Sequence, residues 1–492
     1  MTTILAVDQG TTSTKALLVS SSGETVASAS APVSRAYPRP GWVEQDPAEL
    51  WQSVCTAIDR LPDADPACIA VANQRESVLV WDRASGRPLT PCVGWQCNRG
   101  TDLCAELRAA GAEPLVRELT GLPLDPMFSA SKLRHLLDAD PALREAAESG
   151  SACAGTVDSW LVWNLSGGSL HITDAGNASR TLLFDIHRLE WSEELLELFD
   201  LPAGFLPRVL PSGAVLGETV PMGRLPTLPI AAVAADSHAA LYGLACFRAG
   251  TAKATYGTGT SLMSPTGSVL RQSRNGLATT VAWLRERATY ALEGNVFSSG
   301  ATVEWLAGVL GLESAAEVER LAGTVSDAGG VHIVPGFAGL GAPHWQPDAR
   351  GRITGLTFAS GAAELARAAV ESIAFQVADL VDALEQDLEQ PLDELRADGG
   401  ASRNDMLMQF QADLLGCAVV RSDASDAAAL GAAFLGGLAV GVFDGEETIA
   451  GLRRGGERFE PRMAAERREE LLAGWRAAVA GATATVTEVA VR

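Results

Sequence analysis

Two short turns rich in glycine and threonine stand out as places where the chain could hold a phosphate group. The first spans Asp8 to Thr12, after an apolar run, and the second spans Gly257 to Thr260. Glycine lets the backbone turn tightly, so that successive N–H groups can point at one anion. Either turn alone could be an ordinary hairpin. One such turn in each half of the chain rarely arises by chance, and the pair predicts phosphate binding.

The first turn also carries side chains suited to a nucleotide. Asp8 could hold Mg²⁺ directly or through water. Thr11 and Thr12 add hydroxyl donors, and Lys15 lies just beyond them, where it could meet phosphate charge. The turn is neither a P-loop nor a GxGxxG motif, so it indicates phosphate binding without identifying the ligand.

Asp236 is a candidate general base, because it follows the apolar run Pro229 to Ala235. The carboxyl ends of buried strands are where α/β proteins bind ligands. There an aspartate can accept the proton of a hydroxyl that attacks phosphorus. Alternatively, Asp236 is the N-cap of a helix that starts at Ala239. Position alone leaves the two interpretations evenly balanced.

Arg75, Glu76 and Trp95 are candidate substrate-binding residues. Arg75 and Glu76 follow a strand predicted at Cys68 to Ala72, where adjacent charges could hydrogen-bond neighbouring hydroxyls of a polyol. A surface salt bridge is the simpler interpretation of this pair. Trp95 could cover a carbon chain, although most such tryptophans belong to a core.

The DGGA sequence at 398–401 ends a further strand, and its paired glycines would let a flat ring or a phosphate approach closely. The six histidines form no metal-binding pattern. His238 lies two residues from Asp236, and we predict a local packing or hydrogen-bonding role for it.

Strand and helix signals alternate along the chain, which predicts an α/β protein. Each half opens with a strand, a Gly/Thr turn and a strand, which indicates a weak internal duplication. We expect two domains, residues 1–245 and 246–492, with both turns aimed at one cleft. The uncharged run Ala427 to Phe443 is shorter than the ~20 residues of a membrane span and predicts a buried, closely packed helix.

Composition narrows the range of partners. The 492 residues include 38 Lys and Arg against 60 Asp and Glu, a net charge of -22, which disfavours nucleic acid and anionic membranes as partners. The 8 cysteines form no CxxC pair, which is typical of reduced thiols. The start, MTTILAVDQG, does not have the pattern of a signal peptide. We therefore expect a cytoplasmic protein.

Taken together, these motifs resemble those of the FGGY carbohydrate kinases and, among them, are most similar to the glycerol kinases. The matching stretches run from residue 8 to about residue 440. They include DQGTTSTK, PGWVEQDP, NQRE, WQCNR, TDAGNASRTLLFDIH, YGTGT, ALEGNVF, PGFAGLGAPHW and DGGASRNDMLMQFQADLLG.

The resemblance implies two actin/hexokinase-like (ribonuclease H-like) ATPase domains with an interdomain cleft, and MgATP as phosphoryl donor. It implies Asp236 as the catalytic base and Asp8 as the Mg²⁺-linked acid. The implied nucleotide-binding residues are Thr11, Thr12, Ser13, Lys15, Gly257, Thr258 and Gly259 at the phosphates, with Gly300, Glu304, Gly400, Ala401 and Asn404 around the adenosine. The implied substrate-binding residues are Arg75, Glu76, Trp95, Met127, Asp236, Ser237 and Ser261.

Three of these positions depart from the glycerol kinase pattern. Met127 stands where a tyrosine is expected, Ser237 where a glutamine is expected, and Ser261 where a phenylalanine is expected. A site built for one hydroxyl pattern discriminates through its polar groups, so these changes should alter specificity. The smaller serines predict a roomier site and a substrate larger than glycerol, such as a four- or five-carbon polyol or a ketose.

Other interpretations remain open. The substrate could be xylulose or another ketose, or the chain could be a non-catalytic, actin-like ATP-binding module. The segment Pro221 to Pro229 does not match the loop that binds fructose bisphosphate in some bacterial glycerol kinases, so we do not expect that control. The resemblance also implies a homodimer or homotetramer.

Overall fold

The computed structural model describes residues 2–423, 426–453 and 455–483. Its strands are β1 (Thr3–Gln9), β2 (Ser13–Ser20), β3 (Thr25–Pro32), β4 (Glu44–Gln45), β5 (Pro66–Asn73), β6 (Val78–Asp82), β7 (Cys92–Val93), β8 (Ala152–Thr156), β9 (Ile172–Asp174), β10 (Phe184–Asp185), β11 (Glu190–Trp191), β12 (Arg208–Leu210), β13 (Gly217–Glu218), β14 (Pro229–Ala235), β15 (Thr251–Tyr256), β16 (Thr260–Gly267), β17 (Ala278–Leu284), β18 (Ala288–Val296), β19 (His332–Val334), β20 (Arg352–Thr354), β21 (Glu394–Asp398), β22 (Ala418–Arg421) and β23 (Glu457–Phe459). Its helices are α1 (Pro47–Asp59), α2 (Thr101–Ala109), α3 (Glu113–Thr120), α4 (Ser129–Ala139), α5 (Pro141–Glu148), α6 (Val157–Leu165), α7 (Ala175–Ala178), α8 (Glu193–Leu198), α9 (Asp236–Gly243), α10 (Gly300–Leu310), α11 (Ala315–Ala322), α12 (Ala362–Leu388), α13 (Asp405–Leu415), α14 (Ala427–Ala439), α15 (Glu446–Leu452) and α16 (Ala465–Thr483).

The first half of the chain forms a sheet in the order β13-β14-β5-β1-β2-β3. Strands β1 to β3 are an antiparallel meander, whereas β5 and β14 run parallel to β1. β5 and β14 are buried along nearly their whole length, because parallel strands are covered on both faces. The first Gly/Thr turn joins β1 to β2, and both Arg75 and Asp236 follow the carboxyl ends of parallel strands.

The second half repeats this pattern in a sheet of order β17-β18-β16-β15-β21-β22-β23. Here β15, β16, β18 and β17 form the antiparallel part, while β21 and β22 run parallel to β15. The second Gly/Thr turn joins β15 to β16, as the first joins β1 to β2. The predicted internal duplication is confirmed in the strand–turn–strand unit and in the parallel strands beside it, although β16 pairs with β18 rather than with the next strand, β17.

Two helices rich in small residues pack against each other and against the first sheet. α9 and α14 share a hydrophobic core with β1, β5 and β14, and residues of β16 to β18 contribute to the same core. The helices approach so closely that a Cβ on Gly431 would lie 1.7 Å from the backbone oxygen of Ala239. The predicted buried, closely packed helix is thus confirmed. No helix in the described ranges has both the length and the apolar character needed to cross a membrane.

The helix that follows β14 begins earlier than predicted. It starts at Asp236 rather than at Ala239, and Ala235 is its N-cap. The N-cap interpretation of Asp236 is therefore wrong. As the first helical residue, Asp236 has its backbone fixed by the helix while its side chain is left for other partners.

Candidate active site

The first Gly/Thr turn is tight and is joined to neighbouring elements. The backbone N–H of Gly10 donates to the Ser13 carbonyl at 3.0 Å. The indole N–H of Trp95 donates to the Thr11 hydroxyl at 3.1 Å. Because its side chain is 37 % exposed, Trp95 is not a core residue, and it offers an aromatic surface beside the turn. Thr12 is exposed, and Lys15 forms an ion pair with Asp426 at 2.6 Å.

Asp8 lies at the end of β1 in an environment that disfavours its charge. Burial and the negative charge of Asp236 raise the pKa of Asp8 to about 7, against the opposing effect of Lys15. A nearby divalent cation would favour the ionised form, so the residue fits a Mg²⁺ site. Within the described part of the chain, no three metal-binding side chains converge. Mg²⁺ commonly relies on one or two carboxylates plus phosphates and water, which this arrangement can accommodate.

Asp236 combines accessibility with a perturbed carboxyl group. Its side chain is 37 % exposed, and its Oδ1 accepts the backbone N–H of Ser237 at 2.6 Å. Burial raises the pKa of Asp236, and the positive charge of Arg75 opposes that rise. A carboxylate with a raised pKa is a stronger base than an ordinary surface aspartate, which suits it to accept a hydroxyl proton.

Arg75 and Glu76 belong to a buried charge cluster rather than to a surface salt bridge, so the surface interpretation is wrong. The side chain of Arg75 is 10 % exposed and that of Glu76 is 5 % exposed. Arg75 Nε lies 3.7 Å from Glu76 Oε1 and 3.4 Å from Asp236 Oδ1. These contacts bring three of the predicted substrate-binding residues together.

Two members of this cluster, Glu293 and Arg180, were not predicted as site residues. Glu293 on β18 lies within 2.9 Å of both Arg75 and Arg180, and Arg180 Nε donates to Glu76 Oε1 at 2.8 Å. Burial opposes ionisation of Glu293, but the two arginines outweigh it and hold its pKa well below the usual range. Both residues lie in stretches that match the family, ALEGNVF and TDAGNASRTLLFDIH, and a charge in an otherwise apolar or small-residue context was the available signal.

Glu76 also has an unusual backbone conformation. Its φ of 61° lies in the left-handed region, which a residue with a Cβ adopts at some cost. Hydrogen bonds hold it there: the Ser129 hydroxyl and the Lys132 ammonium donate to the Glu76 carbonyl, at 3.0 Å and 3.4 Å. Lys132 also donates to the Met127 carbonyl, which places Met127 close to Glu76.

Ser261 lies on the face of the second sheet beside a buried lysine. Lys253 Nζ donates to the hydroxyls of Thr255 and Ser261, at 3.1 Å and 3.4 Å. Burial lowers the pKa of Lys253, while the charges of Asp398 and Asp236 act in the opposite direction. Lys253 is thus electrostatically linked both to the Asp236 region and to the DGGA segment.

The second Gly/Thr turn requires glycine for steric reasons. The Gly257 N–H donates to the Gly259 carbonyl at 2.9 Å, and a Cβ on Gly259 would lie 2.3 Å from the Val296 carbonyl oxygen. At the start of α10, the Gly300 N–H donates to the Gly257 carbonyl at 3.0 Å. Thr258 is exposed at the tip of the turn.

The predicted adenosine residues form a second group around this turn. Gly400 and Ala401 lie on the connection from β21 to α13, and Gly399 just before them packs against Tyr256. The Asn404 side chain accepts the Leu407 N–H at 3.1 Å as the N-cap of α13. Glu304 is exposed on α10. The contacts therefore separate the predicted residues into an Arg75–Asp236 group and a Gly257–Gly300 group.

His238 is buried beside the charge cluster. Its Nε2 lies 3.4 Å from the Thr280 hydroxyl, and burial, with the charge of Arg75, lowers its pKa well below the usual value. The ring is packed locally, as predicted, and its Nδ1 has no hydrogen-bond partner among the described residues.

Comparisons with known proteins agree with this fold. The N-terminal domain of the FGGY family of carbohydrate kinases matches residues 3–243, and the C-terminal domain of that family matches residues 252–440. A glycerol kinase from Aromatoleum aromaticum is 50% identical over 97% of this chain and 98% of its own length. One from Dechloromonas aromatica is 49% identical, covering 97% and 96%.

Solved structures give the same result. The crystal structure of Plasmodium falciparum glycerol kinase with ADP is 32% identical, with a TM-score of 0.93 and 98% coverage of both chains. A xylulose kinase from Rhodospirillum rubrum is 26% identical, with a TM-score of 0.87 and coverage of 97% and 98%. The predicted two-domain, actin/hexokinase-like α/β fold is confirmed. The chain belongs to the FGGY family of carbohydrate kinases and is a phosphotransferase that uses ATP with Mg²⁺.

Proposed function

We propose that the protein transfers the terminal phosphoryl group of ATP to a terminal hydroxyl of a small polyol, with Asp236 as the general base. The observation that carries this proposal is the Arg75–Asp236 contact at 3.4 Å, beside Glu76 and at the carboxyl ends of two parallel strands. It combines a base of raised pKa with a fixed hydrogen-bond donor. A polyol that is phosphorylated at one hydroxyl needs the base at that hydroxyl and the donor at a neighbouring one.

Each acceptor residue has a chemical role in this proposal. The Asp236 carboxylate orients the attacking hydroxyl and takes its proton as the new O–P bond forms. Arg75 and Glu76 bind neighbouring hydroxyls as donor and acceptor, and Trp95 covers the carbon chain. Water is excluded when the two halves of the chain close around the substrates.

The donor side uses the two Gly/Thr turns. Thr11, Thr12, Ser13 and Lys15 in the first half, and Gly257, Thr258 and Gly259 in the second, hold the phosphates with backbone N–H groups, hydroxyls and one ammonium. Gly300, Glu304, Gly400, Ala401 and Asn404 surround the adenosine. Asp8 would hold Mg²⁺, which would supply positive charge to neutralise the phosphates.

The acceptor is glycerol or a somewhat larger polyol. The relatives at 50% and 49% identity are named glycerol kinases, which favours glycerol chemistry. A longer molecule is favoured by the side chains of Met127, Ser237 and Ser261, because the two serines are small. The Ser261 hydroxyl also accepts a hydrogen bond from Lys253, next to the proposed acceptor site. A ketose is a weaker alternative, since the xylulose kinase relative is only 26% identical.

An ADP-release assay tests this proposal directly. Glycerol, erythritol, threitol, xylitol, dihydroxyacetone, ribulose and xylulose should be compared by kcat/KM under identical MgATP. We expect a polyol of three to five carbons to give the highest value. A ketose ahead of every polyol would overturn the polyol assignment, and no turnover with any acceptor would overturn the proposal as a whole.

We also propose that the chain divides into units of residues 1–245 and 246–492, each containing one of the two large sheets, with α14 of the second unit packed against the sheet of the first. The strands up to β14 and those from β15 onward support this division. The last nine residues of the second unit lie outside the described residues. Limited proteolysis tests the division, and a stable fragment boundary far from residues 243 to 251 would contradict it.

A homo-oligomer working in the cytoplasm completes the proposal. An apolar patch on β20 and the segment after it, formed by Ile353, Leu356 and Phe358, is exposed, and Phe358 has no cover at all. A second copy of the chain is the occupant that this patch suits.

All eight cysteines are free thiols, which supports a reducing compartment. Cell fractionation tests the compartment.

A further inference from the structure

Glu293 joins the acceptor site to the second sheet through a fork-shaped ion pair. Its Oε1 lies 2.7 Å from Arg75 Nη2, and its Oε2 accepts from Arg75 Nη1 at 2.9 Å. A planar guanidinium held by two parallel contacts has one orientation, whereas a single contact would let it rotate. Glu293 therefore fixes the plane of the Arg75 side chain.

The same carboxylate also reaches Arg180. Glu293 Oε2 lies 2.9 Å from Arg180 Nη1, and Arg180 Nε donates to Glu76 Oε1 at 2.8 Å. Asn295 Nδ2 donates to Glu293 Oε1 at 3.2 Å. Glu293 is fully buried and Arg180 is 1 % exposed, so solvent does not compete with these contacts.

The charges of the cluster balance. Two arginines and two glutamates sum to zero before Asp236 is counted, and the guanidinium of Arg75 and the more distant ammonium of Lys253 are the positive charges that act on Asp236. A buried charge that loses its partner is strongly unfavourable, so Arg75 without Glu293 would turn toward another carboxylate. Asp236 at 3.4 Å and Glu76 at 3.7 Å are the nearest.

We propose that Glu293, acting through Arg75 and Arg180, is a positioning residue for the acceptor: it holds Arg75 at the distance that leaves Asp236 available for the substrate hydroxyl. The inference rests on the proposed function, because it requires that Arg75 and Asp236 bind the acceptor. Glu293 comes from the second half of the chain, whereas Arg75, Glu76 and Arg180 come from the first. The acceptor site is therefore complete only when β18 lies against it.

A double-mutant cycle tests this role. Arg75→Met, Glu293→Gln and the double variant should be compared with wild type for acceptor kcat/KM and, by calorimetry, for ATP affinity. We expect Glu293→Gln to lower acceptor kcat/KM by ~10- to 100-fold, with ATP affinity changed less than ~2-fold. We expect the loss in the double variant to be at least ~10-fold smaller than the product of the single losses.

The matched control is Glu371→Gln, which removes the charge of another buried glutamate paired with an arginine. Glu371 Oε1 lies 2.5 Å from Arg367 Nε, and neither residue belongs to the acceptor site. Wild-type acceptor kinetics are expected for this control. A control defect equal to that of Glu293→Gln would overturn the inference, because any buried charge would then have the same effect.

The outcomes separate the inference from the proposed function. If Arg75→Met alone leaves acceptor kinetics intact, the proposed acceptor site is wrong. If Arg75→Met lowers acceptor kcat/KM but the loss in the double variant equals the product of the two single losses, only the positioning role is wrong. Should Glu293→Gln fail to fold, Glu293→Asp withdraws the carboxylate by one methylene and keeps the charge. A raised acceptor KM with unchanged ATP affinity is then expected, and a wild-type acceptor KM overturns the inference.

Discussion

The shortest contact between Arg75 and Asp236 joins Nε to Oδ1 at 3.4 Å, whereas the two terminal nitrogens of Arg75 lie 2.7 Å and 2.9 Å from the Glu293 carboxylate. A tight, two-contact pair between Arg75 and Asp236 would lower the pKa of the aspartate and weaken it as a base. At the longer distance burial is the larger influence, and the pKa of Asp236 is raised. The geometry of Arg75 therefore keeps Asp236 suited to accept a proton.

Restoring the side chains expected for a glycerol kinase should shift specificity toward glycerol. The triple variant Met127→Tyr, Ser237→Gln and Ser261→Phe adds two hydrogen-bonding groups and one aromatic wall. We expect the ratio of kcat/KM for glycerol to that for a five-carbon polyol to rise by ~10-fold or more, because filled space excludes the longer chain. The ADP-release assay measures this ratio.

Ser149→Gln, at an exposed serine, is the control for added bulk. A triple variant whose preference between short and long polyols equals that of wild type would show that these three positions do not set acceptor length.

Gly259→Ala should damage donor binding. The new Cβ would lie 2.3 Å from the Val296 carbonyl oxygen, and a clash with backbone cannot be relieved by a side-chain rotation. We expect the KM for ATP to rise by ~10-fold or more as the turn is displaced. Gly308→Ala in α10 is the matched control, because no atom lies within 4 Å of its Cβ. Equal ATP KM values for the two variants would contradict the role of this turn.

Asp158 should make stability depend on pH. Burial and the charge of Asp174 raise the pKa of Asp158 to about 7. The folded state therefore holds a proton that the unfolded state has released between about pH 4 and pH 7. Protonation of Asp158 in the folded state therefore raises the free energy of unfolding at low pH. This contribution falls as the pH rises and is lost once the pH has passed through 7.

Asp158→Asn removes this dependence, and its hydroxyl partners Thr156 and Thr173 can rotate to suit an amide. The free energy of unfolding of the variant, relative to that of wild type, should rise by about 3 kcal/mol between pH 5 and pH 8. Urea unfolding at both pH values checks it, with Asp102→Asn at an exposed site as control. A difference that does not change with pH would mean that Asp158 is ionised throughout.

Replacing Leu356 and Phe358 by serine should dissociate the proposed oligomer. Both side chains are exposed in the single chain, at 57% and 111%, so the changes cost little within the subunit. Light scattering on wild type should give a multiple of the chain mass, and on the double variant a smaller one. An oligomer of unchanged mass would place the interface elsewhere.

The sequence predicted the elements of the site better than its connections. The turn residues Asp8 to Thr12 and Gly257 to Thr260 were found because glycine, hydroxyl and acid types occur together between apolar strands. Glu293 was not predicted, because a single charge among apolar and small residues is a weak signal that does not by itself show whether the side chain is exposed or buried. Its place between β16 and β17 and its contacts with Arg75 and Arg180 show that it lies inside the protein.

Two interpretations stayed open in the sequence because they depended on tertiary burial. The Arg75–Glu76 pair was open to a surface interpretation, since two adjacent charges after a strand are usually solvated. Arg180, far away in the chain, is what stabilises Glu76 in the interior. Similarly, the sequence does not distinguish Trp95 from a core tryptophan, whereas its exposure beside the first Gly/Thr turn does.

The central claim is that Asp236 is the base for phosphoryl transfer to a polyol, and Asp236→Asn tests it most directly. The amide keeps the shape of the side chain but cannot take a proton, and Asp102→Asn in the first turn of α2 is the control. Turnover with the best acceptor should fall by ~10²- to 10⁴-fold while calorimetry shows ATP binding unchanged. Turnover within a few-fold of wild type would contradict the claim.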